Sequence, residues 1–268
     1  MASTVRTLLA HIRAIPLALL LFLAAGTARA QFLDGSSGFL LTPTADMNPS
    51  GTFMLSTNYL NKHTINELYW GYDTFGYAID ITFWSRLEVC YSLTIFDGKR
   101  KPNPTPRDLI TINQDRHFSA KFQFLRENEF GWNWVPAIAA GIVDPTTGGA
   151  DDYIDADVSL GGNGFFNRYY LVASKHFNTP LGEFGLHAGY QYSKRLDFPI
   201  HGPCGAVNWR PKWLQNDWVR LNLIGEYDAR TWNAGVVMSV YKDHFDLMFM
   251  LQDMKWISAG LRYKLVLF

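Results

Sequence analysis

The chain has 268 residues, and its 24 lysines and arginines balance its 24 aspartates and glutamates. This composition argues against a nucleic-acid partner, which would require a concentrated basic surface. The apolar stretch near the N-terminus is far shorter than the roughly 20 residues of a membrane-spanning helix, and no later segment is apolar enough, so the sequence also argues against an α-helical membrane protein.

The first 30 residues have the pattern of a secretory signal peptide. Arg6 and Arg13 precede an apolar stretch, residues 14–25, and the A-x-A cleavage motif follows at residues 28–30. Cleavage there removes three arginines and no acidic residue, so the remaining chain carries a net charge of −3. Because the residue directly after the cleavage site is Gln31 and not a cysteine, the sequence does not favour a lipid-anchored protein.

Apolar and polar side chains alternate almost everywhere after residue 51. Between Phe75 and Phe83, every second side chain is large and apolar, and those between them are small or polar. Successive side chains of a strand point to opposite faces, so this pattern predicts strands with one apolar and one polar face. No stretch of comparable length has a helical period. We predict twelve strands, near residues 52–60, 72–83, 86–96, 116–126, 132–142, 165–176, 183–193, 204–211, 218–227, 232–241, 244–252 and 256–267.

The strand and loop lengths favour a membrane barrel. Several predicted strands have the roughly 9–11 residues that span a bilayer. Short turns alternate with longer connections, as in bacterial outer-membrane barrels. Tryptophans recur near strand ends, where an aromatic girdle is expected; they are Trp70, Trp84, Trp132, Trp134, Trp213, Trp218, Trp232 and Trp256. The alternative is a soluble β-sandwich, whose strands also bury one face.

The predicted fold class is therefore all-β, a transmembrane antiparallel β-barrel of about twelve strands and of the bacterial outer-membrane type. We predict that residues 1–30 are the signal peptide and that residues 31–50 form a short periplasmic or lumenal segment. Residues 51–268 would form the barrel, located in the cell outer membrane. Both termini of a twelve-stranded barrel fall on the periplasmic side.

Three stretches of the chain resemble a known family. Residues 38–45 read Gly-Phe-Leu-Leu-Thr-Pro-Thr-Ala and precede the first predicted strand. Residues 170–177 read Tyr-Leu-Val-Ala-Ser-Lys-His-Phe, and Gly-Glu-Tyr-Asp at 225–228 is followed by Asn-Ala-Gly at 233–235. In these stretches the chain resembles YjbH-type proteins, and the resemblance spans most of the mature chain. It implies an outer-membrane β-barrel linked to exopolysaccharide or capsule production, and it supplies no catalytic residues.

One group of residues has the chemistry of a hydrolase. Ser174 and His176 lie two apart on one face of a predicted strand, and Glu183 opens the next strand. A histidine that accepts the serine proton and an acid that orients the histidine would make a lipid or lipopolysaccharide hydrolase. The alternative, which we favour, is that these are polar residues of the barrel lumen near the periplasmic rim.

Charged residues suggest two further features. Lys99, Arg100 and Lys101 lie among prolines in a predicted outer loop, where they would contact lipopolysaccharide or an acidic polysaccharide, or serve as an ordinary charged loop. The polar strand faces carry charges of both signs, which would pair across the lumen or line a small pore; the predicted lumen-facing charges are Arg86, Glu88, Lys121, Arg220 and Glu226.

No metal site or cofactor is predicted. Aspartates cluster around residues 144–157, but their order does not fit a calcium-binding loop. Cys90 and Cys204 are the only cysteines, and the sequence leaves open whether they form a disulfide.

These observations predict a non-enzymatic accessory barrel in exopolysaccharide or capsule export or assembly. The expected partners are outer-membrane lipid, lipopolysaccharide, the exopolysaccharide and proteins of the export machinery, with no nucleic acid. The alternatives are a narrow diffusion pore without polysaccharide partners and the lipid hydrolase.

Overall fold

Twelve antiparallel strands form a closed barrel in which each strand pairs with its neighbours in the chain and the last strand pairs with the first. The computed structural model describes residues 35–64, 73–97, 112–145, 167–193 and 201–267. The predicted signal peptide lies outside these residues. No helix among them is long and apolar enough to cross a membrane.

The strands run in simple up-and-down order. Their bounds are β1 Thr52–Leu60, β2 Thr74–Phe83, β3 Leu87–Asp97, β4 Ile112–Leu125, β5 Ala137–Val143, β6 Arg168–Thr179, β7 Gly182–Tyr192, β8 Gly202–Pro211, β9 Val219–Tyr227, β10 Trp232–Val240, β11 Phe245–Gln252 and β12 Trp256–Val266. The predicted fold class and the strand number are thus confirmed.

The fifth strand differs most from its prediction, because it begins at Ala137 instead of near residue 132. Residues 126–136 form a connection that contains a short 3-10 helix, Glu129–Gly131. Asn128 and Phe130 both have positive φ angles, which a strand does not allow. Pro136 has no N–H group for a sheet hydrogen bond. The alternating side chains of residues 132–136 therefore belong to a turn.

The barrel is apolar outside and polar inside. Ile79, in the middle of β2, is 45% exposed on the outer wall, whereas the adjacent Asp80 is 1% exposed and points inward. The same arrangement recurs around the wall, where the inward positions of β3 are Glu88, Cys90, Ser92 and Thr94. An outward apolar surface of this extent suits a lipid environment, because in water it would be an aggregation site.

Aromatic side chains form a belt at the end of the barrel where the chain enters β1 and leaves β12. Five tryptophans and a phenylalanine there are more than half exposed, and all lie in the connections between strands; they are Trp84, Phe130, Trp132, Trp134, Trp213 and Trp218. Trp232 and Trp256 open strands at the opposite end. Rings with an apolar face and a polar edge favour the level of the lipid headgroups, so the two groups mark two membrane interfaces.

Candidate functional site: the N-terminal segment in the lumen

The segment that precedes β1, residues 35–50, lies inside the barrel. Its middle part is a tight reverse turn in which Gly38 forms a bridge with Pro43 and the N–H of Phe39 donates to the carbonyl of Thr42 at 3.0 Å. Phe39, Leu40 and Leu41 are at most 1% exposed. They pack against inward apolar side chains of the wall, namely Ala137, Ala139, Val143, Tyr170, Val172, Ala206, Ile224, Val237, Met248 and Met250.

Glu226 of β9 binds the backbone of this turn. Its carboxylate accepts hydrogen bonds from three successive N–H groups, those of Leu40 at 3.2 Å, Leu41 at 2.8 Å and Thr42 at 3.2 Å. The amide of Asn233 also donates to it, at 3.3 Å. Three convergent N–H groups form an anion-binding nest, so the turn and the carboxylate are complementary.

Glu88 and Lys121 hold the start of the segment from the opposite wall. The backbone N–H and the hydroxyl of Ser37 both donate to the Glu88 carboxylate. The Lys121 ammonium donates to the carbonyl of Ser37 at 2.7 Å and to that of Asp46 at 2.9 Å, and lies 3.5 Å from Glu88. The two charges therefore compensate each other and also satisfy the polar groups of a buried segment that has no sheet partner.

Further inward side chains complete the contacts. Gln123 donates to the carbonyl of Ala45 at 2.7 Å, and Arg168 donates to that of Leu41 at 3.2 Å. Within the described part of the chain, the segment thus lies across the lumen and is hydrogen-bonded to β3, β4, β6 and β9. This arrangement obstructs an open channel.

Ser174 lies beneath the segment, and its histidine partner is His187 of β7 rather than His176. The Ser174 hydroxyl lies 2.8 Å from His187 Nδ1 and accepts the N–H of Ala45 at 2.8 Å. His187 Nε2 lies 3.0 Å from Asn208 Oδ1. Ser174, His187 and Asn208 form one hydrogen-bonded series. Register explains the pairing, since Ser174 is directly opposite His187 in the β6–β7 ladder.

His176 belongs to a neighbouring group. Its Nδ1 lies 2.7 Å from the Glu127 carboxylate, which also accepts hydrogen bonds from the His176 backbone N–H and from the Lys175 ammonium, each at 2.8 Å. On its other side, His176 Nε2 lies 3.7 Å from Asp46 of the N-terminal segment. His176 therefore connects the β4–β5 turn with the segment.

Partial burial raises the pKa of Glu127, but the hydrogen bonds from Lys175 and His176 outweigh burial and hold that pKa below its ordinary value. A depressed pKa in the folded state means that ionised Glu127 stabilises the fold above the ordinary glutamate pKa of about 4.3. This contribution is lost as the pH falls through the lowered pKa.

We therefore expect Glu127→Gln to lower the free energy of unfolding by about 2 kcal/mol at pH 7, since hydrogen bonds to a charged group are lost. The difference from the wild type should be smaller at a second, acidic pH below the ordinary glutamate pKa of about 4.3, because the contribution is lost as Glu127 becomes protonated. Urea unfolding in lipid vesicles at both pH values measures it, and a difference that persists undiminished at low pH would contradict the assignment.

The other residues predicted for the site lie apart from the lumen centre. Glu183 pairs with Arg210 at 2.9 Å, so it is not the acid partner of Ser174 or His176. Arg86, predicted to face the lumen, lies instead in the β2–β3 turn and pairs with Glu129 at 2.8 Å. It does so because β3 begins only at Leu87.

Arg220 points inward at the barrel end and pairs with Asp243 at 2.5 Å. The loop residues Lys99, Arg100 and Lys101 lie outside the described residues, so their contact with glycan or lipopolysaccharide stays a prediction. Most of the aspartates near residues 144–157 also lie outside. Cys90 and Cys204 are both buried and are not joined by a disulfide.

Sequence reasoning missed four inward residues that matter for the site: Asp46, Arg168, His187 and Asn208. His187 and Asn208 lie on the polar faces of their strands, so alternation placed them inward without indicating a role. Gly185 is a further clue, because a Cβ atom there would lie 2.0 Å from Asn208 Oδ1 and 2.8 Å from His187 Nε2. Only glycine leaves space for this pair.

Comparison with known proteins identifies one family. The model of the YjbH family, described as exopolysaccharide biosynthesis protein YbjH, matches residues 31–235. No curated protein sequence matches the chain.

Among solved structures, LpxR from Salmonella typhimurium is 10% identical, with a TM-score of 0.40 over 81% of this chain and 100% of that one. The Salmonella typhi outer membrane phospholipase (OMPLA), a dimer with bound calcium, is 12% identical, with a TM-score of 0.34 over 82% and 92%.

Proposed function

Since the chain belongs to the YjbH family of exopolysaccharide biosynthesis proteins, we propose that it is a non-enzymatic accessory barrel in the export or surface assembly of an exopolysaccharide or capsule. It reaches the outer membrane through a cleaved signal peptide at residues 1–30. The barrel end where β1 begins and β12 ends faces the periplasm, because the three longest connections, residues 61–73, 98–111 and 144–167, lie at the opposite end.

The observation that supports this role over a diffusion pore is the segment in the lumen. A pore for small solutes requires an open, water-filled channel. Here four inward charged side chains form hydrogen bonds with backbone groups of the segment; they are Glu88, Lys121, Arg168 and Glu226. These charged side chains bind the protein's own N-terminal segment and do not line an open channel. The barrel with the segment in place is therefore closed.

The proposed partners are lipopolysaccharide, the exopolysaccharide and proteins of the export machinery. Polysaccharides of the cell surface are often acidic, and the basic loop at residues 99–101 joins β3 to β4 at the barrel end opposite the termini. In the proposed orientation this loop faces the cell exterior, where it would contact the polymer.

Deletion of the gene tests the role. We expect the deletion strain to lose most of its surface polysaccharide, measured as extracellular hexose and uronic acid, and the wild-type gene to restore it. A triple variant, Lys99→Gln, Arg100→Gln and Lys101→Gln, should restore less than half. The matched control, Lys62→Gln with Lys255→Gln, removes charge from two other loops at the same end and should restore it fully. Unchanged polysaccharide in the deletion strain would contradict the proposal.

A second candidate function is hydrolysis of lipid or lipopolysaccharide, which the series Ser174, His187 and Asn208 favours. In this series His187 would accept the proton of the Ser174 hydroxyl while Asn208 orients the ring. However, Ser174 is 1% exposed and its Oγ accepts the N–H of Ala45. A substrate would reach it only after the segment leaves the lumen.

Mass spectrometry of lipids and lipopolysaccharide from the same strains separates the two functions. For an accessory barrel, Ser174→Ala should leave both lipid profile and polysaccharide unchanged. The control is Ser258→Ala, another buried inward serine, whose hydroxyl accepts the N–H of Asn61. A lipid change that the wild type and Ser258→Ala reverse, but Ser174→Ala does not, would establish the hydrolase.

A further inference from the structure

We propose that Asp46, His176 and His187 form a binding site for a divalent transition metal ion, for which Zn²⁺ is the best fit. The three residues come from the N-terminal segment, β6 and β7. One ligand atom from each lies within 4.8 Å of the other two. Asp46 is 3.7 Å from His176 Nε2 through one carboxylate oxygen and 3.9 Å from His187 Nδ1 through the other.

The hydrogen bonds on the far sides of the two imidazole rings prepare them as ligands. His176 Nδ1 faces the Glu127 carboxylate at 2.7 Å, which accepts a proton from that nitrogen and leaves the lone pair on Nε2. A histidine ligand commonly donates its second N–H to a carboxylate or carbonyl oxygen, which sets the tautomer and the ring orientation. Glu127 has this role for His176.

Asn208 has the same role for His187. Its Oδ1 lies 3.0 Å from His187 Nε2, while its amide nitrogen donates to Asn222 Oδ1 at 2.8 Å, which sets the orientation of the amide group. His187 therefore carries its proton on Nε2 and its lone pair on Nδ1. Gly185 leaves the space for this arrangement, as a Cβ atom there would collide with Asn208 and lie 3.0 Å from the His176 ring.

Both of these nitrogens lie within 4 Å of the Asp46 carboxylate, and His187 Nδ1 also lies 2.8 Å from the Ser174 hydroxyl. A cation at this point would be attracted by the carboxylate and by the nitrogen lone pairs of both rings. In a tetrahedral zinc site with bonds of about 2.0 Å, the ligand atoms are about 3.3 Å apart. The separations of 3.7 and 3.9 Å exceed this value by about 0.4 and 0.6 Å, and all three ligand atoms lie within 4.8 Å of one another, so the three side chains would move together when they bind the ion.

Entry of the ion replaces the hydrogen bond between the Ser174 hydroxyl and His187 Nδ1. Ser174 Oγ then lies beside the fourth coordination position, where it or a water molecule completes the tetrahedron. Two nitrogens and one oxygen with an open position are a ligand set that zinc accepts. Since Asp46 belongs to the N-terminal segment, the ion would fasten that segment to the wall formed by β6 and β7.

The test uses the full mature protein, refolded in detergent, stripped with a chelator and dialysed against Zn²⁺. We expect one bound zinc per chain by elemental analysis, a tetrahedral visible spectrum with Co²⁺, and a higher melting temperature with zinc, because an ion that binds only the folded state stabilises it. Asp46→Asn, His176→Gln and His187→Gln should each weaken binding at least 10-fold and abolish the zinc-dependent shift.

The matched control is His117→Gln, which replaces another buried histidine, on β4. It should retain one zinc per chain. Each variant is first checked for folding by the change in its gel mobility on heating in detergent. Zinc binding is then compared among the folded variants.

Two results would overturn the proposal. In the first, the wild type binds less than one zinc or cobalt ion per chain. In the second, the three variants bind zinc as tightly as the wild type. The test is independent of any polysaccharide phenotype, so the metal site and the proposed function can fail separately.

Discussion

Glu226→Ala is expected to open the barrel. The substitution removes the carboxylate that accepts the N–H groups of Leu40, Leu41 and Thr42, and it leaves these donors buried in the lumen. A buried donor left without its acceptor costs about 1–3 kcal/mol, and three donors lose their acceptor here. We therefore expect the segment to leave its site in a large fraction of molecules, and the single-channel conductance in planar bilayers to rise well above the wild-type level.

Two further variants define this expectation. Glu226→Gln retains one oxygen acceptor, so its conductance should lie between those of the wild type and Glu226→Ala. Glu129→Ala removes the same charge from an exposed turn, where the ion pair with Arg86 contributes little, and its conductance should match the wild type. If Glu226→Ala stays as closed as the wild type, the nest does not hold the segment.

Ile79→Arg is expected to destabilise the barrel through its outer face. Ile79 lies near the middle of β2 and is exposed on the outer wall. A charged side chain at the bilayer midplane of a barrel costs about 2–4 kcal/mol. Urea unfolding in lipid vesicles should show a loss of this size.

The depth and the face of the substitution provide the controls. Ile257→Arg places the same side chain on the exposed second residue of β12, near a membrane interface, where the cost falls to about 0–1 kcal/mol. Asp80→Asn changes the adjacent inward position and should cost much less than Ile79→Arg. Equal losses for Ile79→Arg and Ile257→Arg would show that the outer wall does not contact lipid.

The strands and their faces could be predicted from the sequence because strand periodicity is a local property. Each strand repeats its apolar positions every two residues, and one such segment, near residues 52–60, has the same bounds in the structure. The exception, the start of β5, has a local cause as well: Pro136 has no N–H group for the sheet, and the N–H of Val135 donates to the carbonyl of Trp132 within a turn. In the sequence, these turn signals are weaker than the alternation of Trp132 and Trp134, and this alternation led to the prediction of a strand from residue 132.

The site depends on contacts between residues far apart in the chain, and local patterns contain no information about them. Ser174 seemed to pair with His176 because the two are neighbours on one strand, but the ladder register places His187 opposite Ser174. Asp46 lies beside these histidines although they are 130 and 141 residues further along the chain, and Glu226 binds a turn 184–186 residues earlier. The sequence by itself determined a barrel with a polar lumen, since alternation needs no tertiary information. Only the tertiary structure decided that the inward charges bind the N-terminal segment, because barrel closure brings these distant residues together.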